Sequence, residues 1–161
     1  MKPLRLFLAA FVLAGASAPS TPQLPDLHGT TLSGSPFGLA ASEHKVVVVH
    51  YWATWCTGCR VEMPILDAAY KKYGATGLTI LGIAIDTGAS RKKIQKGSMG
   101  ASFPLARLAD TSLRARDVPA ALPETRVYGR DGRLRFLFRA EKTTLDATTL
   151  DRVLPPLLAE R

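Results

Sequence analysis

Cys56 and Cys59 are the only cysteines in the chain of 161 residues, and only Thr57 and Gly58 separate them in "WCTGCR". Such a pair can be a structural staple, half of a metal site, a haem attachment point or a dithiol that opens and closes as its chemistry. A bridge across two residues closes so small a loop that it removes little entropy from the unfolded chain, so a staple here holds almost nothing. Zinc takes about four ligands, and the remaining metal-binding side chains of this type are the scattered His28, His44 and His50, with no second pair at ligand spacing. Covalent haem needs a histidine directly after the second cysteine, where this chain has Arg60. The spacing therefore points to a redox-active dithiol that needs neither cofactor nor metal.

The dithiol has to be positioned by what flanks it. "KVVVVHYW", Lys45 to Trp52, is rich in β-branched residues and reads as a buried strand. "CRVEMPILDAAYKKYG" reads as a helix, because Cys59, Met63, Leu66, Tyr70 and Tyr73 recur by fours and threes along one stripe, with Gly74 as the stop. Cys56 then falls at the helix N-terminus and Cys59 one turn inside. Unpaired N–H groups and the positive end of the helix dipole favour a thiolate at Cys56, prepared to attack a disulfide. Cys59, heading the buried stripe, is placed as the resolving thiol.

Length and composition, 47% hydrophobic and 21% charged, fit one globular domain. The net charge of +8 is scattered through Arg91, Lys92, Lys93, Lys96, Arg130, Arg133, Arg135 and Arg139, without the interleaved aromatics of a nucleic-acid groove, so nucleic acid is not expected as a partner. "MKPLRLFLAAFVLAGASA" opens with Lys2 and Arg5 and then runs apolar for eleven residues, Leu6 to Ala16. That run is shorter than the roughly 20 residues of a spanning helix and is followed by small residues, which is the pattern of a secretory signal. The expected boundaries are a signal over 1–16, with Ala18 as the alternative cleavage point, a Pro/Ser/Thr-rich tether over 17–36 and a domain over 37–161. An exported chain of this kind is expected in the periplasm, inserted in the membrane only if the signal is retained.

The run "YWATWCTGCRVEMP" resembles the TlpA, ResA and CcmG group of exported thiol-disulfide reductases, with Trp52, Ala53, Trp55, Cys56, Cys59, Glu62 and Pro64 all in register. The resemblance covers about residues 36–160. It implies a thioredoxin-like α/β fold: a central mixed β-sheet flanked by helices, with an insertion before a cis-proline segment. "DVPAALPETRVYGRDGRL" resembles that segment, which makes Pro123 the cis-proline and places the backbone at Leu122 beside Cys56, ready to pair with a substrate peptide as an added strand. Trp55, Thr57, Gly58, Leu122 and Pro123 are the implied substrate-binding residues.

The rest of the chain fits that scaffold. "LTILGIAID", Leu78 to Asp86, reads as a second buried strand beside the first, and residues 88–98 with "SFPLARLAD" as the insertion. "RVYG" and "LRFLFRA" read as a hairpin turning at Asp131 and Gly132. Thr148 with Asp151 suggests a capping box for a final helix that Pro155 and Pro156 kink or end.

Four residues are expected to tune the thiols. His50 stands where thioredoxins carry an acid; it is either a base that takes the Cys59 proton or a neutral core histidine. Thr87 stands where the ResA type keeps an acid, and Asp86 beside it is the substitute or a turn cap. Glu62 and Glu124 both match the group, and carboxylates there would raise the cysteine pKa values. The resemblance favours a reductase of client disulfides, in cytochrome c maturation, copper-site assembly or copper tolerance, re-reduced by a membrane donor of the DsbD kind. A dithiol oxidase of the DsbA kind stays open, since Thr57 and Gly58 match neither the Gly-Pro of thioredoxin nor the Pro-His of DsbA. A Cu(I)-binding module using the same two thiolates is the alternative from another class.

Overall fold

The computed structural model describes residues 21–42, 44–140, 142–143 and 145–160. The expected signal over 1–16 and the first part of the expected tether lie outside the described residues.

Seven strands form one mixed sheet in the order β2-β1-β5-β4-β3-β6-β7. Its centre is β3 (Val46–Trp52) and β4 (Leu78–Ala84), paired in parallel from Val46 opposite Leu78 to Trp52 opposite Ala84. Both run apolar almost without alternation, as strands covered on both faces must; every residue of β3 is buried. β6 (Glu124–Tyr128) pairs antiparallel with β3 and continues through a turn, with Gly132 at φ 73°, into β7 (Leu134–Arg139). The hairpin and the pairing of the two buried strands match the sequence expectation.

Three helices cover one face: α1 (Thr57–Tyr73), α2 (Arg91–Gly97) and α3 (Ala147–Ala159). Cys59, Met63 and Leu66 from α1, Ile94 from α2 and Leu150, Val153, Leu154 and Leu157 from α3 share a core with Val46, Val48 and Trp52 of β3. The stripe read from the sequence is the buried stripe of α1, with Tyr70 and Tyr73 packed at its margin. The opposite face, carrying Val47, Val49 and Tyr51, is covered by loops and short 3-10 turns, through Leu27, Leu39, Leu113 and Val118. The three α-helices thus pack on the face that carries Val46, Val48 and Trp52.

That second face explains why the expected tether ends earlier than residue 36. β1 (His28–Thr31) and β2 (Pro36–Gly38) belong to the sheet, β1 pairing with β5 (Leu105–Thr111), and Leu27 is fully buried. Without residues 24–39 the apolar side chains of β3 and β4 on that face would meet water. Residues 22–24 are also fixed: Gln23 bridges Arg133, Leu24 N–H donates to the Gly132 carbonyl, and Leu134 N–H donates to the Pro22 carbonyl.

α2 and β5 form the insertion, β5 lying parallel to β4. At the end of α1 the stop is displaced. Gly74 is right-handed at φ −56°, a short 3-10 turn follows over Gly74–Thr76, and Gly77 takes the left-handed φ of 105° that releases the chain into β4. α3 is capped by Asp146, whose carboxylate accepts from Thr149 N–H, and not by Thr148. Asp151 is occupied elsewhere, accepting from Tyr73 Oη and Lys72 Nζ on α1. α3 also runs through Pro155 and Pro156 to Ala159, because Leu154 and Leu157 on either side of the prolines are anchored in the core.

Candidate active site

The dithiol lies where β3 hands over to α1. Cys56 is the N-cap residue, with extended φ −84° and ψ 107°, and its sulfur accepts from Cys59 N–H at 3.1 Å. Cys56 therefore stands at the N-terminus of α1, with Cys59 one turn inside. Cys56 and Cys59 are joined by a disulfide, with Cys59 fully buried and Cys56 6% exposed. Trp55 beside them is 69% exposed, and Thr57 and Gly58 are also at the surface. A large apolar ring is thus left open to solvent next to the sulfurs.

The loop "ATW" before Cys56 is held from two sides. Thr54 donates its backbone N–H and its hydroxyl to the Asp86 carboxylate. Gly97 of α2 approaches Thr54 so closely that a Cβ there would stand 2.8 Å from its methyl carbon. Asp86 is thus a cap on the loop that carries the dithiol, which matches the turn-cap reading of this residue.

The Leu122–Pro123 peptide bond is cis, and Pro123 packs on Gly58; a Cβ on Gly58 would lie 3.1 Å from Pro123 Cδ. Among the described residues the N–H and C=O of Leu122 have no hydrogen-bond partner within the chain, whereas the Pro123 carbonyl is taken by Ala140 N–H. A free backbone edge therefore stands next to the dithiol.

Below the cysteines is a buried polar group that sequence reading found only in part. His50 Nδ1 lies 2.8 Å from Thr125 Oγ1, and Thr125 Oγ1 lies 3.4 Å from Glu62 Oε2. The three come from β3, β6 and α1, and the pairing of His50 opposite Thr125 sets the contact. His50 is fully buried, which pushes its pKa down to about 3. It is neutral, so its 3.7 Å approach to Glu62 is no ion pair, and it is too weak a base to hold the Cys59 proton near neutral pH. The base reading of His50 gives way to that of a neutral core imidazole. Glu62 is buried too, and burial pushes its carboxyl up to about 7, with the Thr125 hydroxyl opposing the rise. On α1 it stands one turn beyond Cys59 on the same face.

Glu124 does not join this group. It alternates with Thr125 along β6 and faces the other side of the sheet, where it is 2% exposed and accepts from Arg126 Nε and Arg139 Nε, both at 2.7 Å. Two guanidinium groups compensate its charge, so its contacts are structural. Tyr51 is on the same side, with the Arg126 guanidinium 4.8 Å above its ring and its own pKa pushed up to about 12, chiefly by burial. Thr54 and Thr125 are neighbours of the site that the sequence did not disclose. The alternation of strand residues after Pro123 is the signal that would have put Thr125 on the dithiol face.

The AhpC/TSA family matches residues 21–137. The chain is 30% identical over 125 residues to the thiol-disulfide oxidoreductase ResA of Geobacillus kaustophilus, covering 76% of this chain and 70% of that protein. A thiol:disulfide interchange protein of the thioredoxin family from Chlorobium tepidum superposes with a TM-score of 0.73 at 20% identity, over 89% of this chain and all of that one. A secreted Mycobacterium tuberculosis disulfide oxidoreductase, homologous to E. coli DsbE, superposes with a TM-score of 0.63 at 24% identity, over 78% of this chain and 91% of its own. The two solved structures share the thioredoxin fold seen here. With the family match over most of the chain and the likeness to ResA, the chain belongs to the AhpC/TSA family, among the thioredoxin-fold thiol-disulfide oxidoreductases.

Proposed function

We propose that the chain is an exported reductase of client disulfides. The observation that carries the reading is Cys56 at the helix N-cap, its sulfur already accepting the Cys59 amide, beside the unpartnered backbone of Leu122. A client segment pairs with Leu122 as an added strand and brings its disulfide to Cys56. The Cys56 thiolate attacks one client sulfur; a Cys56–client disulfide forms and the second client sulfur leaves as a thiolate. Cys59 then passes its proton to the Glu62 carboxylate and attacks Cys56 Sγ. The Cys56–Cys59 disulfide forms and the client leaves as a dithiol, two electrons richer.

Restoring the reduced enzyme takes two electrons from a dithiol donor, proposed as a membrane protein of the DsbD kind. Clients are proposed among proteins whose cysteines must be reduced to take haem or copper: apocytochrome c, an oxidase copper-site protein or a protein of copper tolerance. The N-terminal sequence pattern supports export to the periplasm, and no helix among the described residues is long and apolar enough to cross a membrane.

The test is the reduction potential of the Cys56–Cys59 pair, set by glutathione or dithiothreitol buffers and read by alkylation and mass. A value near or below about −270 mV supports a reductase. A value near about −120 mV overturns the direction and makes the chain a disulfide donor.

A further inference from the structure

The buried group formed by His50, Thr125 and Glu62 carries more than a proton site on Glu62. We propose that His50 is a positioning residue, held with its hydrogen on Nδ1, that acts through Thr125 to commit the threonine's one hydrogen to the Glu62 carboxylate.

The argument is one of counting hydrogens. Thr125 Oγ1 has two neighbours that can accept, His50 Nδ1 at 2.8 Å and Glu62 Oε2 at 3.4 Å. A hydroxyl has one hydrogen to give and two lone pairs with which to receive. If His50 carries its hydrogen on Nε2, Thr125 must donate to Nδ1 and has nothing for Glu62. If the hydrogen is on Nδ1, His50 donates to Thr125 and the threonine hydrogen is free for the carboxylate.

The other side of the ring decides between them. His50 Nε2 is buried and has no hydrogen-bond partner. An N–H buried without an acceptor is the rarer and more costly orphan, so the lone pair faces that side and the hydrogen goes to Nδ1. The bond made by one ring nitrogen thus fixes the other.

Among the described residues, Thr125 is the side chain that hydrogen-bonds to the Glu62 carboxyl, with His50 behind it. From its own helix, Cys59 and the capping Cys56 face the core near it, and Tyr70 and Tyr73 pack at the core margin two to three turns further on. β3 contributes His50, and Gly82 of β4 is its register partner. β7 places Phe138 opposite Thr125. The buried residues of α3 are Leu150, Val153, Leu154 and Leu157. The charged Glu124 and Arg126 of β6 face the opposite side of the sheet.

The consequence rests on the reading of Cys59 as the resolving thiol. Glu62 can take the Cys59 proton only while ionised, and burial works against that form. The Thr125 hydrogen offsets burial, and His50 keeps that hydrogen pointed at the carboxylate.

Two experiments test this on the full-length protein. Long-range nitrogen–proton NMR of 15N-histidine-labelled protein is expected to show neutral His50 with its hydrogen on Nδ1 from about pH 5 to 9. A hydrogen on Nε2, or a titration inside that range, overturns the proposal. In the second, the Cys56 mixed disulfide with 5-thio-2-nitrobenzoate is formed and its resolution by Cys59 is timed against pH. Thr125→Val, nearly isosteric, is expected to move the midpoint of that profile up by about one pH unit, and Thr125→Ser is expected to restore it. A midpoint unchanged in Thr125→Val overturns the proposal. If the wild type forms the mixed disulfide but never resolves it, the reductase reading falls, while the NMR result still decides the positions of the hydrogens.

Discussion

Pro123 rests on Gly58, and no side chain larger than hydrogen fits between them without displacement, since a Cβ would stand 3.1 Å from Pro123 Cδ. The contact couples the loop of the dithiol to the backbone edge at Leu122 on which a client strand is proposed to pair. Gly58→Val is expected to push that edge away, lowering kcat/KM for insulin reduction by about tenfold, or about 1.4 kcal/mol. Reduction of a small-molecule disulfide, which needs no strand pairing, is expected to change little. Parallel assays on the two substrates check this, and equal losses on both would refute the pairing role.

Cys56 and Cys59 differ in exposure and in their hydrogen bond, so their serine variants are expected to fail differently. Cys56→Ser forms no covalent adduct. Cys59→Ser lacks the resolving thiol and accumulates mixed disulfides through Cys56. Trapping from the native compartment, followed by non-reducing electrophoresis, distinguishes the two; an empty Cys59→Ser lane would count against the mechanism.

Asp86 holds Thr54 by its backbone N–H and hydroxyl, which makes its effect on the dithiol one of position. Asp86→Ala strands two partly buried donors and is expected to lower stability by about 1–2 kcal/mol. Asp86→Asn keeps an acceptor for one of them and is expected to lose less than half as much, without moving the pH dependence of Cys56 alkylation. Urea unfolding and alkylation rates provide the readings. If Asn shifts the alkylation profile as far as Ala does, the carboxylate acts on the thiols by charge.

His50 and Glu62 pull stability in opposite directions as pH changes. His50 ordinarily titrates near 6.5 and is held down to about 3 by the fold, so the stability it contributes is whole above about 6.5 and lost as pH falls through about 3. Glu62, ordinarily near 4.5 and raised to about 7, contributes stability that is whole below about 4.5 and lost as pH rises through about 7. Between these limits the two effects oppose each other. Glu62→Gln is expected to be more stable at about pH 7 than at about pH 5, and His50→Leu the reverse, with the wild type changing less than either. Urea midpoints of the oxidised protein at the two pH values check the signs.

What the sequence disclosed follows the range of the interaction involved. β3, α1 and the dithiol between them were legible because their signals are local: a β-branched run, a helical stripe and a pair of cysteines. β1 and β2 were not, being four and three residues long and containing glycine, serine-rich turns and a proline between or within them. β1 is a strand because β5, some 80 residues away, supplies its partner, and β2 because it pairs in turn with β1. Thr125 was overlooked for a related reason, since its role depends on lying opposite His50, 75 residues earlier in the chain. The α3 cap was misplaced because "LDATTLD" offers two acids and several threonines, and the choice was made by α1, whose Tyr73 and Lys72 occupy Asp151.

The anchoring of Pro22, Gln23 and Leu24 at the β6–β7 turn gives the domain a front and a back. β6 starts beside Pro123 and the dithiol and runs five residues away from them toward that turn, a distance of about 16 Å. The chain enters at the back. Anything upstream of residue 21, loose or moored to a surface, would pull on the end of β6 that points away from Pro123. A moored copy would therefore be held by the end of the sheet away from Trp55 and the sulfurs, leaving them open to an approaching partner.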